Sequence, residues 1–165
     1  MSKFNLFAYA ETLVQSLKPI EHKTLLRAFG VEELLDFQAK ISRISKRCLI
    51  AVNGYDAEAS QADSDSKLML PQYAIIVVQP CTTTDENTIF KAAEECRVVT
   101  EEIYKKMLID VKTNNTELRN KPLSNVKFAG IGPIGDNFYG SVVYFSLKEN
   151  YNFQLTKELW ESSEA

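Results

Sequence analysis

A continuous apolar run occupies residues 73–78 (Tyr-Ala-Ile-Ile-Val-Val), and Pro80 follows it closely. A run this rich in β-branched side chains predicts a strand that is covered on both faces. Beyond it, apolar side chains recur at spacings of three, four or seven: Ile89, Ala93, Cys96, Ile103 and Met107. This spacing predicts one long helix that ends near Val111. We expect the other elements to be arranged around this strand and this helix.

The start of the long helix carries its own signal. Residues 83–86 (Thr-Thr-Asp-Glu) fit a capping box. In that motif the Thr83 hydroxyl and the Glu86 carboxylate each accept a hydrogen bond from an amide that the first helical turn leaves unpaired. The pattern therefore predicts that the helix begins at this motif.

The N-terminal part of the chain predicts shorter helices. Residues 4–17 carry a mostly apolar face, and Pro19 ends the helix because the residue before a proline avoids helical angles. Residues 20–29 permit either a short strand or a helical turn. Residues 31–41 predict a second short helix, with two glutamates in its first turn, where the helix dipole favours acids.

Further apolar segments predict the rest of a sheet. Three of them lie at residues 48–52, 126–129 and 141–147, and the alternation of Tyr151, Phe153 and Leu155 predicts a one-sided edge strand. Together the elements predict an α+β fold. In this fold an antiparallel or mixed sheet of about four strands is packed by one long helix and by shorter N-terminal helices.

Glycine is concentrated in residues 130–140. The stretch resembles a phosphate-binding loop only superficially, because no Lys-Ser/Thr pair follows it and the next residues predict a strand. Pro133 and the glycines fit a bulged turn between two antiparallel strands better.

Residues 55–71 differ in composition from the apolar segments. They contain Asp56, Glu58, Asp63 and Asp65 among Ala, Ser and Gln. The segment predicts a long, mobile, acidic loop within a single domain, and residues 161–165 should fray. The acidic residues that start at Asp63 resemble the beginning of an EF-hand calcium loop. Lys67 and the leucine after it, however, occupy the positions where that loop needs an oxygen ligand and a glycine. We therefore expect no metal site.

Composition narrows the class of protein. The chain has 165 residues, 45% hydrophobic and 25% charged, with a net charge of −3. These values are ordinary for one globular domain, residues 1–165. The net charge is slight and negative, so it does not indicate direct binding of nucleic acid. No signal peptide or membrane-spanning run is evident, so we expect a protein that is neither secreted nor inserted in a membrane. The odd number of cysteines, without metal-like spacing, predicts buried thiols in a reducing compartment.

No catalytic pattern emerges. The only histidine, His22, has no Cys or Ser motif beside it, and the paired acids of the long helix lie on its predicted outer face. We therefore predict no enzyme activity, no catalytic residue and no cofactor. One basic cluster stands out, formed by Lys40, Arg43, Lys46 and Arg47. It lacks the interleaved aromatic residues of single-strand binders, so a solvated helix end is the simpler interpretation.

The order of elements, the strand at residues 73–78, the helix centred on Cys96 and the segment 132–140 together resemble small tail proteins of long-tailed bacteriophages and prophages. Among these the chain is most similar to the tail-terminator and tail-completion group. The resemblance implies a non-enzymatic virion protein that forms a closed ring, commonly a hexamer, on the tail tube. It also implies tail-tube or head–tail connector proteins as partners, and a location in the virion or, during assembly, in the bacterial host cytoplasm.

Ring formation requires contact surfaces, and we look for them among residues that have no evident role in the fold of a single domain. The candidates for such a subunit interface are Lys40, Arg43, Lys46, Leu68, Met69, Leu70, Asp136, Phe138 and Tyr139. The opposite charges of the acidic segment and the basic cluster predict that the first meets the second on the next subunit. The alternative is a cytoplasmic bacterial binding module that uses the same loops to hold a peptide or a small ligand.

Overall fold

The computed structural model describes residues 3–61, 67–151 and 154–161. Within them the fold is α+β, as predicted. The strands are β1 (Leu26–Ala28), β2 (Cys48–Val52), β3 (Ala57–Gln61), β4 (Lys67–Pro80), β5 (Leu123–Ile134), β6 (Phe138–Leu147) and β7 (Glu149–Asn150). The α-helices are α1 (Leu6–Ser16), α2 (Gln38–Ile41) and α3 (Glu86–Val111), and 3-10 helices cover Val31–Asp36 and Lys157–Leu159.

The main sheet is mixed and has the strand order β1-β2-β4-β6-β5. Only the short β1–β2 pair is parallel, while the other neighbours are antiparallel. Strand β4 lies in the middle, where Ile76 stands between Ile50 of β2 and Val142 of β6. The predicted strand at residues 73–78 is therefore confirmed as the central strand.

The sheet buries apolar side chains on both faces because alternate residues of a strand point to opposite sides. Ile75 and Val77 of β4 belong to a cluster with α1 and α3. Ile76 belongs to a second cluster, which packs under the 3-10 helix Val31–Asp36 and α2. The long helix thus covers one face of the sheet, and the short helices cover part of the other face.

Helix α3 begins two residues later than the predicted capping box implies. Its N-cap is Asp85, whose carboxylate accepts a hydrogen bond from the Asn87 amide at 3.0 Å. Thr83 lies in the turn before the helix, which the Thr82 carbonyl closes by accepting from the Asp85 amide at 2.9 Å. The prediction of a Thr83–Glu86 box is therefore wrong, because the aspartate between them supplies the cap.

The N-terminal elements follow the sequence with one refinement. Helix α1 confirms the first predicted helix, and the ambiguous stretch 20–29 contains β1. The second predicted helix is split into the 3-10 helix and α2, and Phe37 lies between them. Leu34 and Phe37 are both buried, and their spacing of three residues matches the 3-10 period.

The acidic segment is not a loop over its described length. Strand β3 pairs antiparallel with residues 67–71 of β4, and β7 pairs with Leu68 and Met69 on the other side of the same strand. We call this three-stranded unit the arm: β3, residues 67–71 of β4, and β7. The loop prediction is therefore wrong for the paired residues. Residues 62–66 lie outside the described residues, and the mobility of the segment stays a prediction.

The strand count differs from the predicted four because the additional strands lack a clear apolar period. Strand β1 has three residues, β7 has two, and β3 is polar or small throughout. The predicted edge strand at residues 151–155 is wrong for its described residues, because 151, 154 and 155 are outside any strand. Of the predicted frayed end, only Glu161 is described. No helix in the described part of the chain is long and apolar enough to cross a membrane.

Candidate functional site

The predicted interface residues are divided between the two ends of β4. Leu68, Met69 and Leu70 lie in the arm, at the N-terminal end of that strand. The basic cluster and Asp136 lie at its C-terminal end, because Cys48 of β2 pairs with Val78 and Phe138 of β6 pairs with Pro80. About ten residues of strand separate the two ends, which corresponds to roughly 30 Å.

The C-terminal end of β4 brings α2 against the turn between β5 and β6. The Gln38 side chain donates to the Asp136 carboxylate at 2.9 Å and accepts from the Asp136 amide at 2.7 Å. Gly135 makes this approach possible, since it adopts a φ of 61° and a Cβ there would collide with the Gln38 side chain. We call the exposed surface formed by Lys40, Arg43, Lys46 and Asp136 the helix-end patch.

The basic cluster is less uniform than its sequence indicates. Lys40 forms an ion pair with Glu33 at 2.7 Å. Arg47 turns inward and donates to the Gln79 amide oxygen at 2.7 Å and to the Glu95 carboxylate at 3.1 Å. Arg43 and Lys46 are exposed, and no partner for them occurs among the described residues. These two cations are the part of the cluster that remains available to another molecule.

The Phe138 side chain is not at the surface of the protein. Its side chain is 2% exposed and packs with Ile134 and Val142 in the cluster under α2. Its pairing with Pro80 turns the ring inward, so it supports the turn from below, and we leave it out of the proposed interface. Tyr139 is half-buried beside Gly132.

The arm presents apolar and acidic groups together. Leu68, Met69 and Leu70 are all half-buried, so each keeps some apolar surface exposed to solvent. Glu58 of β3 is exposed, and Asp56, just before that strand, is exposed beside the arm. The arm is thus able to contribute apolar contact area and negative charge to a partner.

An open cleft of about 800 Å³ lies where the arm joins the main body. Met69, Pro71 and Tyr73 of β4 form its apolar wall. Tyr55 stands at the cleft with a φ of 58° and stacks loosely on Phe29, with the ring centres 5.9 Å apart. Sequence reasoning missed this cleft, because its lining comes from five separate parts of the chain.

Glu149 of β7 gives the cleft a polar centre. Its Oε1 atom is buried and has no hydrogen-bond partner in the described part of the chain. Burial, together with the negative charge of Glu149, raises the pKa of Tyr73 to about 12, so this phenol stays neutral near pH 7. The cleft therefore contains a buried acceptor that a ligand with a donor group would satisfy.

A second cavity, of about 470 Å³, opens between α1 and the end of α3. Beside it Asp110 is buried and accepts a hydrogen bond from the Tyr9 hydroxyl at 2.6 Å and one from the Lys106 ammonium group at 2.8 Å. Burial and the hydrogen bond to Asp110 raise the pKa of Tyr9 above its usual range. Both carboxylate oxygens are satisfied within the chain, which makes this cluster a structural link between the two helices.

We expect Tyr9→Phe to lower the free energy of unfolding by about 1–3 kcal/mol, because one oxygen of the buried Asp110 loses its donor. Tyr104→Phe is the matched control, since no hydrogen bond of the Tyr104 hydroxyl occurs in the described residues. Urea denaturation of both variants measures the difference. Equal midpoints for the two variants would show that the Tyr9–Asp110 bond contributes nothing.

The three cysteines are buried and free, in agreement with the sequence. Burial raises the pKa of Cys48 to about 12 and that of Cys96 to about 11, so both remain thiols near neutral pH. Within residues 3–61, 67–151 and 154–161, no group of three or more His, Cys, Asp or Glu residues could hold a metal ion.

Comparison of the chain with protein-family profiles, with curated proteins and with solved structures finds no match in any of the three.

Proposed function

We propose that this chain is a non-enzymatic structural subunit of the tail of a long-tailed bacteriophage or prophage, and that it assembles into a tail-terminator-like ring. The proposal rests on one observation: the two surfaces that contain the candidate interface residues lie at opposite ends of β4. The arm occupies one end, and the helix-end patch occupies the other. Tail-tube or head–tail connector proteins are the partners that the resemblance implies.

Opposite placement supports a ring because of symmetry. A head-to-tail contact joins two different surfaces of neighbouring copies and generates a closed ring when the rotation closes. In our proposal the arm of one subunit meets the helix-end patch of the next. Asp56 and Glu58 then face Arg43 and Lys46, which have opposite charge.

The two kinds of contact differ in strength. Ion pairs that remain partly exposed contribute only about 0–1 kcal/mol each. Burial of the apolar arm residues contributes roughly 25 cal/mol for each Å² removed from water. Leu68, Met69 and Leu70 should therefore supply most of the affinity, while the charges orient the encounter.

Substitution of Met69 by Asp should therefore abolish most of the assembly, because a carboxylate replaces apolar contact area at the arm. The double reversal Arg43→Glu and Lys46→Glu should weaken assembly only modestly. Static light scattering, with and without tail-tube protein, measures both effects. Val98→Asp is the matched control, since Val98 is an exposed apolar residue on α3 and belongs to neither the arm nor the patch.

Circular dichroism should first show that all variants are folded. If folded Met69→Asp assembles like the wild-type chain, or if Val98→Asp loses assembly to the same extent, the arm is not the contact surface.

A second candidate function rests on the cleft beside the arm. Its volume of about 800 Å³ lies within the usual range for small-ligand sites, roughly 300–1,000 Å³. A bacterial binding module that holds a peptide or a small molecule there would remain a monomer or a dimer. The mass of the purified chain separates this function from a ring.

A further inference from the structure

We infer that the cleft beside the arm receives residues 154–161 of a neighbouring copy, so that each subunit of the ring is fastened to the next by its C-terminal segment. The inference rests on the ring proposed above and identifies what fills the cleft.

The first observation is the exposure of the C-terminal segment, residues 154–161. Leu155, Leu159 and Trp160 are exposed by 57%, 81% and 53%, respectively. The segment contains one short 3-10 helix, Lys157–Leu159, and none of its side chains is buried. Such a concentration of exposed large apolar side chains is typical of a surface that binds to another molecule.

The cleft offers what these side chains lack. Its wall includes the side chains of Phe4, Met69 and Tyr73, and Tyr73 packs edge-on against Phe4 with the ring centres 5.3 Å apart. A leucine or an indole placed against this wall would be removed from water. Its volume of about 800 Å³ is large enough for several side chains.

Polar groups agree with the same occupant. The buried Oε1 atom of Glu149 needs a donor, and the incoming segment carries the indole N–H of Trp160 and the ammonium group of Lys157. Three lysines line the cleft, namely Lys3, Lys121 and Lys148. They outnumber the two acids of the lining, Asp56 and Glu149, while the segment carries Glu158 and Glu161 against the single Lys157, so the net charges of the cleft and the segment are opposite.

The neighbouring copy is favoured over the same copy. The chain passes the cleft at Tyr151, which belongs to its lining, yet Leu155, Leu159 and Trp160 are exposed and do not belong to that lining. The nine residue-to-residue steps from Tyr151 to Trp160 span up to roughly 30 Å when the chain is extended. This reach is similar to the separation of the arm and the helix-end patch, so the segment can leave its own subunit and arrive at the next cleft.

Trp160 allows a direct test, because it is the only tryptophan of the chain. The full-length protein is diluted over a wide concentration range, and acrylamide quenching of Trp160 is recorded together with the mass by light scattering. We expect quenching to fall several-fold as rings form. Trp160→Ala should weaken self-association by roughly thirtyfold, which corresponds to about 2 kcal/mol for truncation of an interface hot spot. Leu35→Ala, at an 85% exposed leucine of the 3-10 helix Val31–Asp36, is the control and should assemble normally.

Complementation between variants gives the sharpest result. The Met69→Asp chain has a damaged cleft and an intact C-terminal segment, whereas the Trp160→Asp chain has the reverse and contains no tryptophan. Neither should assemble alone. Their mixture should form heterodimers in which the remaining Trp160 is protected from acrylamide. Lys148→Glu, an exposed charge reversal at the cleft, replaces Met69→Asp if that variant does not fold.

Each other outcome overturns the inference. Rings in which Trp160 remains as open to acrylamide as in the dilute chain leave the proposed function standing but exclude the C-terminal contact. If the chain is a monomer and its Trp160 is protected from acrylamide at every concentration, the cleft binds the C-terminal segment of the same copy. A monomer with an exposed Trp160 at all concentrations overturns both the ring and the contact.

Discussion

Ile76→Asp is expected to unfold the chain or to lower its free energy of unfolding by about 4 kcal/mol or more, because it places an unpaired carboxylate in the core. Ile76 is 1% exposed and lies on the central strand β4, between β2 and β6. The cluster that surrounds it consists of apolar side chains, among them Ile50, Val78 and Val142. Thermal melting followed by circular dichroism measures the loss.

Ile109→Asp provides the matched control for this substitution. It makes the same chemical change at a residue of α3 that is 61% exposed, where water continues to solvate the carboxylate. We expect its melting temperature to stay close to that of the wild-type chain. If Ile76→Asp also melts like the wild type, β4 is not the centre of the fold.

Gly140→Ala is expected to be the second severe substitution. Gly140 lies on β6 opposite Val78, and a Cβ there would overlap the Val77 carbonyl oxygen and approach the Val78 Cα to 2.8 Å. Both obstacles are backbone atoms of the central strand, so no side-chain rotation can relieve the overlap. We expect a loss of about 3 kcal/mol or more in the free energy of unfolding, at the upper end of overpacking costs.

Gly130→Ala is the control, because Gly130 lies on the neighbouring strand β5 and a Cβ there meets nothing closer than 3.9 Å. A glycine replaced by alanine at a compatible strand position gains roughly 0.4–1 kcal/mol through the unfolded state. Urea midpoints of the two variants should therefore move in opposite directions. Similar midpoints would contradict the close approach of β6 and β4.

The central strand and the long helix were predictable because burial decides both patterns. Residues 73–78 are apolar without interruption since both faces of β4 are covered, and α3 keeps one apolar face toward the sheet. Strand β3 was not predictable, because Ala57–Gln61 carries no large apolar side chain and is held by backbone pairing to β4. Pairing of this kind leaves no period in the sequence.

The candidate site was predictable only in fragments. The basic cluster and the apolar residues 68–70 were recognisable in the sequence because they have no evident role in the fold of a single domain. Their separation along β4 depends on strand register, which the sequence does not show. The cleft was missed for a similar reason, since Phe4 and Met69 meet there from distant parts of the chain. The inward position of Phe138 likewise follows from its pairing with Pro80.

The mass of the wild-type chain in solution tests the central claim most directly. Light scattering over a wide range of concentrations, alone and with tail-tube protein, should reveal a discrete species whose mass is a whole multiple of 18.7 kDa. A closed ring gives one such multiple that stops growing as concentration rises. A chain that stays at 18.7 kDa under all these conditions, and ignores tail-tube protein, would contradict the ring.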